Sequence, residues 1–361
     1  MSVVKNVKNR RIWMTCLLLA LALVLNAGAA SAEGAAKGQN IVDPVDQFDH
    51  CSAVLYDNTN GLPTSEANAI AETSDGFIWI GSYAGLIRYD GNTFVRMDST
   101  TGLTSVVSLY VDSQDRLWIG TNDNGVAVME NGEFRRWGKL EGMKSTHTRA
   151  ITEDQNGNIY VATTSGIMII DPEFNLTAME EEEIADAYMR SLLTGPDGIL
   201  YGTTDSGDLL TIQDGRLTSF IHAEDSSTQG AGCLLPDPEA PGKVYVECSE
   251  FVLLHATMGE TLTDVEKINI DPLRYIQTMQ YIDGKLWICA GNGIGVLDGD
   301  RFTVLQGLPM DNSVGNVMTD YLGNLWFTSS RQGVMKVVSN QFLNVCERYG
   351  LPQMVVNSTC M

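Results

Sequence analysis

Short apolar runs, rather than helical stripes, organise this chain. From Glu66 onward, runs rich in Val, Ile, Tyr, Phe and Trp are cut by Asp-Gly and Asn-Gly pairs, which is the pattern of β-hairpins. In the first such unit, Glu66–Ala71, Phe77–Ser82, Leu86–Asp90 and Thr93–Asp98 are expected as four strands, a to d. Ser74-Asp75-Gly76 joins a to b, because Gly and Asp accept positive φ at little cost. Strand b reads as nearly continuous apolar sequence, which predicts a sheet covered on both faces.

The unit then recurs. Asp75-Gly-Phe-Ile-Trp-Ile-Gly81 is echoed by Asp115-Arg-Leu-Trp-Ile-Gly120, by Asn158-Ile-Tyr-Val-Ala162 and by Asp197-Gly-Ile-Leu-Tyr-Gly202. The echo weakens at Gly242-Lys-Val-Tyr-Val246, then returns at Asp283–Ile288 and Gly323–Thr328. The aromatic anchors are Trp79, Trp118, Tyr160, Tyr201, Tyr245, Trp287 and Trp326, spaced by 39, 42, 41, 44, 42 and 39 residues. A period near ~40 with several strands per unit is the signature of propeller blades. The expected fold is all-β, a β-propeller of about seven four-stranded blades over residues 51–349. The anchors are expected to be packing residues.

The two ends complicate ring closure. Cys51–Leu62 resembles Asn92–Leu103 and so looks like a lone strand d ahead of the first blade. Ser52–Tyr56 could therefore close a seven-bladed ring. Gln341–Arg348 also reads as a strand d for the seventh unit, and Gly350-Leu351-Pro352 copies Gly61-Leu62-Pro63. Residues 350–361 are thus expected to begin an eighth repeat, within the first part of a longer or double propeller, and this unfinished ring is the preferred reading.

Composition adds a compartment and removes some partners. Lys5, Lys8, Arg10 and Arg11 precede the apolar stretch Ile12–Leu25, and Ala30-Ser31-Ala32 offers a cleavage site. Residues 1–32 are read as a signal peptide or signal anchor, with 33–50 as a linker, so the chain is expected to be exported. The net charge is −22, and loss of the basic leader would make it more negative. Such a surface repels nucleic acid and anionic headgroups, so neither is an expected partner. The seven cysteines include no CxxC pair, which argues against a zinc site. Cys233 and Cys248 flank a Pro/Gly-rich turn and are the candidates for a disulfide, which export would permit. Asp112-Ser-Gln-Asp115 and Glu153-Asp154-Gln-Asn156 offer oxygen ligands but read as hairpin turns. No metal or cofactor is expected.

These repeats resemble the two-component regulator propeller family, most closely over Gly61–Asp90, Gly102–Val126 and Gly307–Gly333. Blade five departs most, lacking the second Gly. The resemblance implies an extracytoplasmic, ligand-sensing propeller of a bacterial signalling protein of the two-component or cyclic-di-GMP type. It also implies an output module absent from this chain, a membrane connection through that missing part, and a homodimeric parent. No kinase or cyclase activity follows for the chain itself.

Strands in a blade alternate direction, so the b–c turns and the d–a connections share one face. Concave loop faces on a fixed scaffold are where ligands bind. The candidates on that face are Tyr83, Asn122, Asp123, Asn124, Thr164, Ser165, Asp205, Asn292, Arg331 and Gln332. Their amide, hydroxyl and aromatic groups suit a polar small molecule, a glycan or a peptide. They are also ordinary turn residues. Two alternatives stand beside the sensor: a secreted lyase resembling streptogramin lyase, and an exported protein-binding scaffold. A lyase needs a positioned base, and His147, on the d–a connection of the same face, is the residue to watch.

Overall fold

The computed structural model describes residues 51–97, 102–226, 228, 231–249 and 251–339. The expected signal peptide (1–32), linker (33–50), strand at Gln341–Arg348 and eighth repeat (350–361) lie outside them. The described residues form seven four-stranded antiparallel sheets. Inner strand a of each blade packs against strand a of the next, and Ala69–Glu72 of blade one meets Val314–Thr319 of blade seven. The result is a seven-bladed β-propeller. One helical turn, Ala223–Ser226, precedes blade five. No helix among the described residues is long and apolar enough to cross a membrane.

Closure differs from the preferred expectation. The outer strand of blade seven is Cys51–Tyr56, which pairs antiparallel with Gly333–Ser339 from Cys51↔Ser339 to Tyr56↔Val334. The reason is physical: an unpaired strand at Gly333–Ser339 would leave a row of backbone donors and acceptors exposed. Ala53 and Leu55 pack on the apolar cluster shared by blades six and seven. Tyr56 stacks on Trp326, with ring centroids 6.4 Å apart. On the first blade's side, the N–H of Tyr321 donates to Glu72 Oε2 at 2.9 Å.

Strand b is buried throughout in most blades, as in Ile78–Ser82 and Leu325–Ser329. All seven anchors are buried, with Trp118 and Trp326 wholly so. The glycine of the Trp-Ile-Gly motif now has a reason. A Cβ on Gly120 would come within 2.5 Å of Thr148 Cγ2 in the next blade. Glycine sets how closely consecutive blades approach.

A second device holds the a–b turn of most blades. Asp112 accepts the Gln114 and Arg116 amides through Oδ1, while Oδ2 takes the Trp118 indole N–H at 2.7 Å. Asp320 repeats this with Leu322, Asn324 and the Trp326 indole at 2.9 Å. Asp154 takes the Tyr160 hydroxyl at 3.2 Å and Asp197 that of Tyr201 at 2.7 Å. In blade one Thr73 accepts the Trp79 indole at 3.0 Å. Blade six uses a tight turn instead, Asp283-Gly284 with φ of 55° and 77°. Blade five, the weakest repeat, still forms its sheet; Phe251, at φ 66°, takes the left-handed conformation after its strand b.

The expected Cys233–Cys248 disulfide does not form. The Glu247 N–H donates to the Cys233 carbonyl, so Cys233 lies opposite Glu247. Cys248 is one residue further along, at a register shift between Glu247 and Ser249. Cys233 is instead buried near Cys289, and burial pushes its thiol up to about 12.

Asp320→Ala should cost about 3 kcal/mol in equilibrium unfolding, since a buried indole N–H and two turn amides lose their acceptor. Tyr201→Phe, which removes one hydroxyl, should cost about 1 kcal/mol; negligible losses in both would show that the turn carboxylates are not structural. Cys233 and Cys289 should resist iodoacetamide in the native protein and react on unfolding. Peptide mapping should find no bridge between Cys233 and Cys248.

Candidate functional site

The inner strands enclose a central channel of about 740 Å³ that opens on the face of the b–c turns and d–a connections. Backbone irregularity decides what points into its mouth. In five blades the register of strands a and b shifts at one residue: Val107, Arg149, Arg190, Gln277 and Gly315. A bulge of this kind re-aims a side chain that regular pleating would send elsewhere. Asn68 in blade one and Gly232 in blade five occupy the matching positions and also line the channel. The mouth therefore carries one variable residue per blade on a repeated frame.

The charged side chains among the lining residues are Arg149, Arg190 and Glu247. Arg149 Nε donates to Tyr188 Oη at 3.0 Å, and Nη1 donates to Asn122 Oδ1 and the Thr148 carbonyl, both at 2.9 Å. Its guanidinium carbon lies 5.3 Å from the Tyr188 ring centroid. Arg190 pairs with Asp205 at 2.8 Å, both side chains being about half exposed. Glu247 accepts the amides of Gly232 and Ile276, at 3.2 and 3.3 Å. Burial raises its pKa, partly opposed by those bonds and by Arg190. Amides tie the rim together: Asn316 Nδ2 donates to the Asn68 carbonyl at 2.8 Å, and Asn68 Nδ2 to that of Val106 at 3.2 Å.

Of the residues expected from sequence, Tyr83 lines the channel and is 50% exposed. The others sit on the same face but mainly fasten loops. Asn122 and Asp205 hold Arg149 and Arg190. Asp123 accepts from Ser105 and Asn124, and Asn124 also donates to Thr104. Thr164 bonds Ser145 at 2.8 Å, and Ser165 donates to Asp186 at 3.3 Å. Asn292 accepts the Arg274 amide and donates to the Pro272 carbonyl. Gln332 accepts the amides of Asp311 and Asn312, while Arg331 is exposed at the loop tip. His147 is exposed, its Nδ1 against the Asn122 carbonyl, and the channel lining contains no histidine.

Arg149, Arg190 and Gln277 were missed in the sequence. The usable signal was register: each stands five residues before the position equivalent to Asp112, namely Asp154, Gly195 and Ile282.

Fold and site together define a seven-bladed propeller with a polar, asymmetric channel mouth. Residues 61–84 and 102–123 match the model of the two component regulator propeller family. Both matched segments fall in the first two blades. No curated protein matches the chain in sequence. Among solved structures it is similar to the extracellular domain of a hybrid two component system of B. thetaiotaomicron, at 19% identity and a TM-score of 0.64. That likeness covers 80% of this chain but 42% of the other, so the chain spans less than half of that domain. It is also similar to a streptogramin B lyase, at 16% identity and a TM-score of 0.67, over 80% of this chain and 98% of the lyase. A third similar structure is YCF48 bound to D1 peptide, at 14% identity and a TM-score of 0.63, over 80% and 97% of the two chains. At such identities these likenesses concern the fold.

Glu247 generates a pH prediction. Its folded pKa lies above its unfolded one, so its contribution to stability is full below the unfolded value and is lost as pH rises through the folded one. The denaturation midpoint of Glu247→Gln, measured from acid to neutral pH, should therefore fall less with rising pH than that of the parent. Parallel curves would rule out a raised Glu247.

Proposed function

We propose that this chain is the extracytoplasmic ligand-sensing propeller of a bacterial transmembrane signalling protein, and that its ligand sits in the channel mouth. The carrying observation is the mouth itself, where a structurally repeated bulge position bears residues as unlike as Arg149, Arg190 and Gln277. A grafted recognition surface has that arrangement. The family repeats, the basic leader with its apolar stretch, and the likeness to an extracellular domain of a hybrid two component system support export and sensing. The ligand is a polar small molecule, glycan or peptide, and the output module belongs to the longer parent.

The lyase reading has one observation in its favour, the likeness covering 98% of a streptogramin B lyase. A catalytically inactive histidine-to-alanine variant of virginiamycin B lyase from Staphylococcus aureus, bound to quinupristin, is another similar structure. Against this reading, no histidine is among the described residues that line the channel. Purified protein should leave quinupristin intact, and the reading frame beyond codon 361 should run into further repeats, a membrane span and a signalling module. Turnover that disappears in His147→Ala would instead establish the lyase.

A further inference from the structure

We propose that the channel mouth is built for an oxyanion: Arg149 and Arg190, on adjacent blades three and four, receive a carboxylate or sulfate of a small polar ligand. The inference rests on the sensing function proposed above and names the chemistry of its ligand.

Charge is the first ground. The chain carries a net −22, with 23 Lys and Arg against 45 Asp and Glu. Two arginines are nevertheless held at equivalent bulge positions of neighbouring blades, where both line the channel. A random placement in so acidic a chain would favour carboxylates there. Glu247 is the one carboxylate among the described lining residues, and two backbone amides already engage its oxygens.

The state of each guanidinium is the second ground. Arg149 has neutral partners, an amide oxygen, a carbonyl and a phenol, which orient it without cancelling its charge. Arg190 meets Asp205 in a half-exposed pair, the kind that contributes little and exchanges readily for another carboxylate. Guanidinium groups suit this task because their fixed fork matches planar oxyanions.

Space is the third ground. Gly232 and Gly315, the bulge-position glycines of blades five and seven, lie outside the positive-φ region. A Cβ on Gly232 would meet nothing closer than 3.7 Å, and one on Gly315 nothing closer than 3.4 Å. Neither backbone conformation nor packing demands glycine there, and its effect is to leave the mouth open beside Arg190 at blade five and across from the arginines at blade seven. Gln277 supplies an amide on that side, and Tyr83 and Tyr275, 50% and 64% exposed, supply ring faces at the rim. The remainder of the ligand would thus meet neutral hydrogen-bonding and aromatic groups.

The test uses the full chain and three probes: trigalacturonate, a heparin-derived disaccharide, and a neutral galactose trisaccharide. Inorganic sulfate serves as the minimal anion, followed through the arginine Nε–H signals by NMR. Saturable shifts of the Arg149 and Arg190 signals with sulfate are expected, together with binding of at least one acidic sugar that weakens with salt. Which acidic sugar binds distinguishes a carboxylate from a sulfate ligand. Arg149→Gln and Arg190→Gln should each weaken that binding about tenfold, whereas Arg216→Gln on an outer strand, an equal change of charge, should not. Melting curves establish that each variant is folded. Absence of saturable arginine shifts, or equal affinity in the parent and both channel variants, overturns the inference. Binding of the neutral sugar alone overturns the oxyanion and leaves the sensor standing. Anion binding accompanied by quinupristin turnover leaves the oxyanion site and removes the sensor.

Discussion

A single carboxylate at the end of an inner strand does much to make these blades alike. In blades two and seven, Asp112 and Asp320 cap the turn amides with one oxygen and hold the indole N–H with the other. A buried tryptophan brings a large apolar area but also a donor that must be satisfied. The turn carboxylate resolves both needs and ties strand a to strand b. With strand b positioned, the following glycine sets the approach of the next blade, and the inner strands are brought round a common axis.

The channel mouth inherits its geometry from that frame. Each bulge stands at a constant distance along strand a from the turn cap, so blades that agree at the cap agree at the mouth. What varies is the side chain presented. The turn and the channel mouth thereby lie at opposite ends of one short strand.

Much of the architecture was legible in the sequence because it is written locally and repeatedly. Trp79, Trp118 and Trp326 recur in the same apolar context, and the Asp-Gly and Asn-Gly pairs mark hairpins wherever they fall. Closure was less legible. Nothing local tells Cys51–Tyr56 that its partner is Gly333–Ser339, and the copy of Gly61-Leu62-Pro63 at residues 350–352 argued for continuation. The loop face could be placed from the repeat, but the residues that line the channel could not. Asn122, Asp205 and Gln332 drew attention because Asn, Asp and Gln are polar and sit in loops, and the fold uses them as fasteners. Arg149 and Arg190 lay inside strands whose one-residue bulge no periodicity announces. The disulfide failed for the same reason: Cys248 falls at an irregularity of its strand that the sequence does not announce, and Cys233 stands opposite Glu247.

The pairing of the first described strand with the last has a consequence in time. A ribosome delivers Cys51–Tyr56 before any blade exists, yet their partner emerges only after six blades have been made. The blades in between can form hairpins from near neighbours, and such local pairings are fast. The closing pair is among the most distant in the chain and must wait, with an unpaired apolar edge at each end of the growing arc. During that interval the nascent chain is exposed to association with other copies of itself. Secretion before folding, in an unfolded and largely acidic chain, would postpone the hazard until both edges are present together.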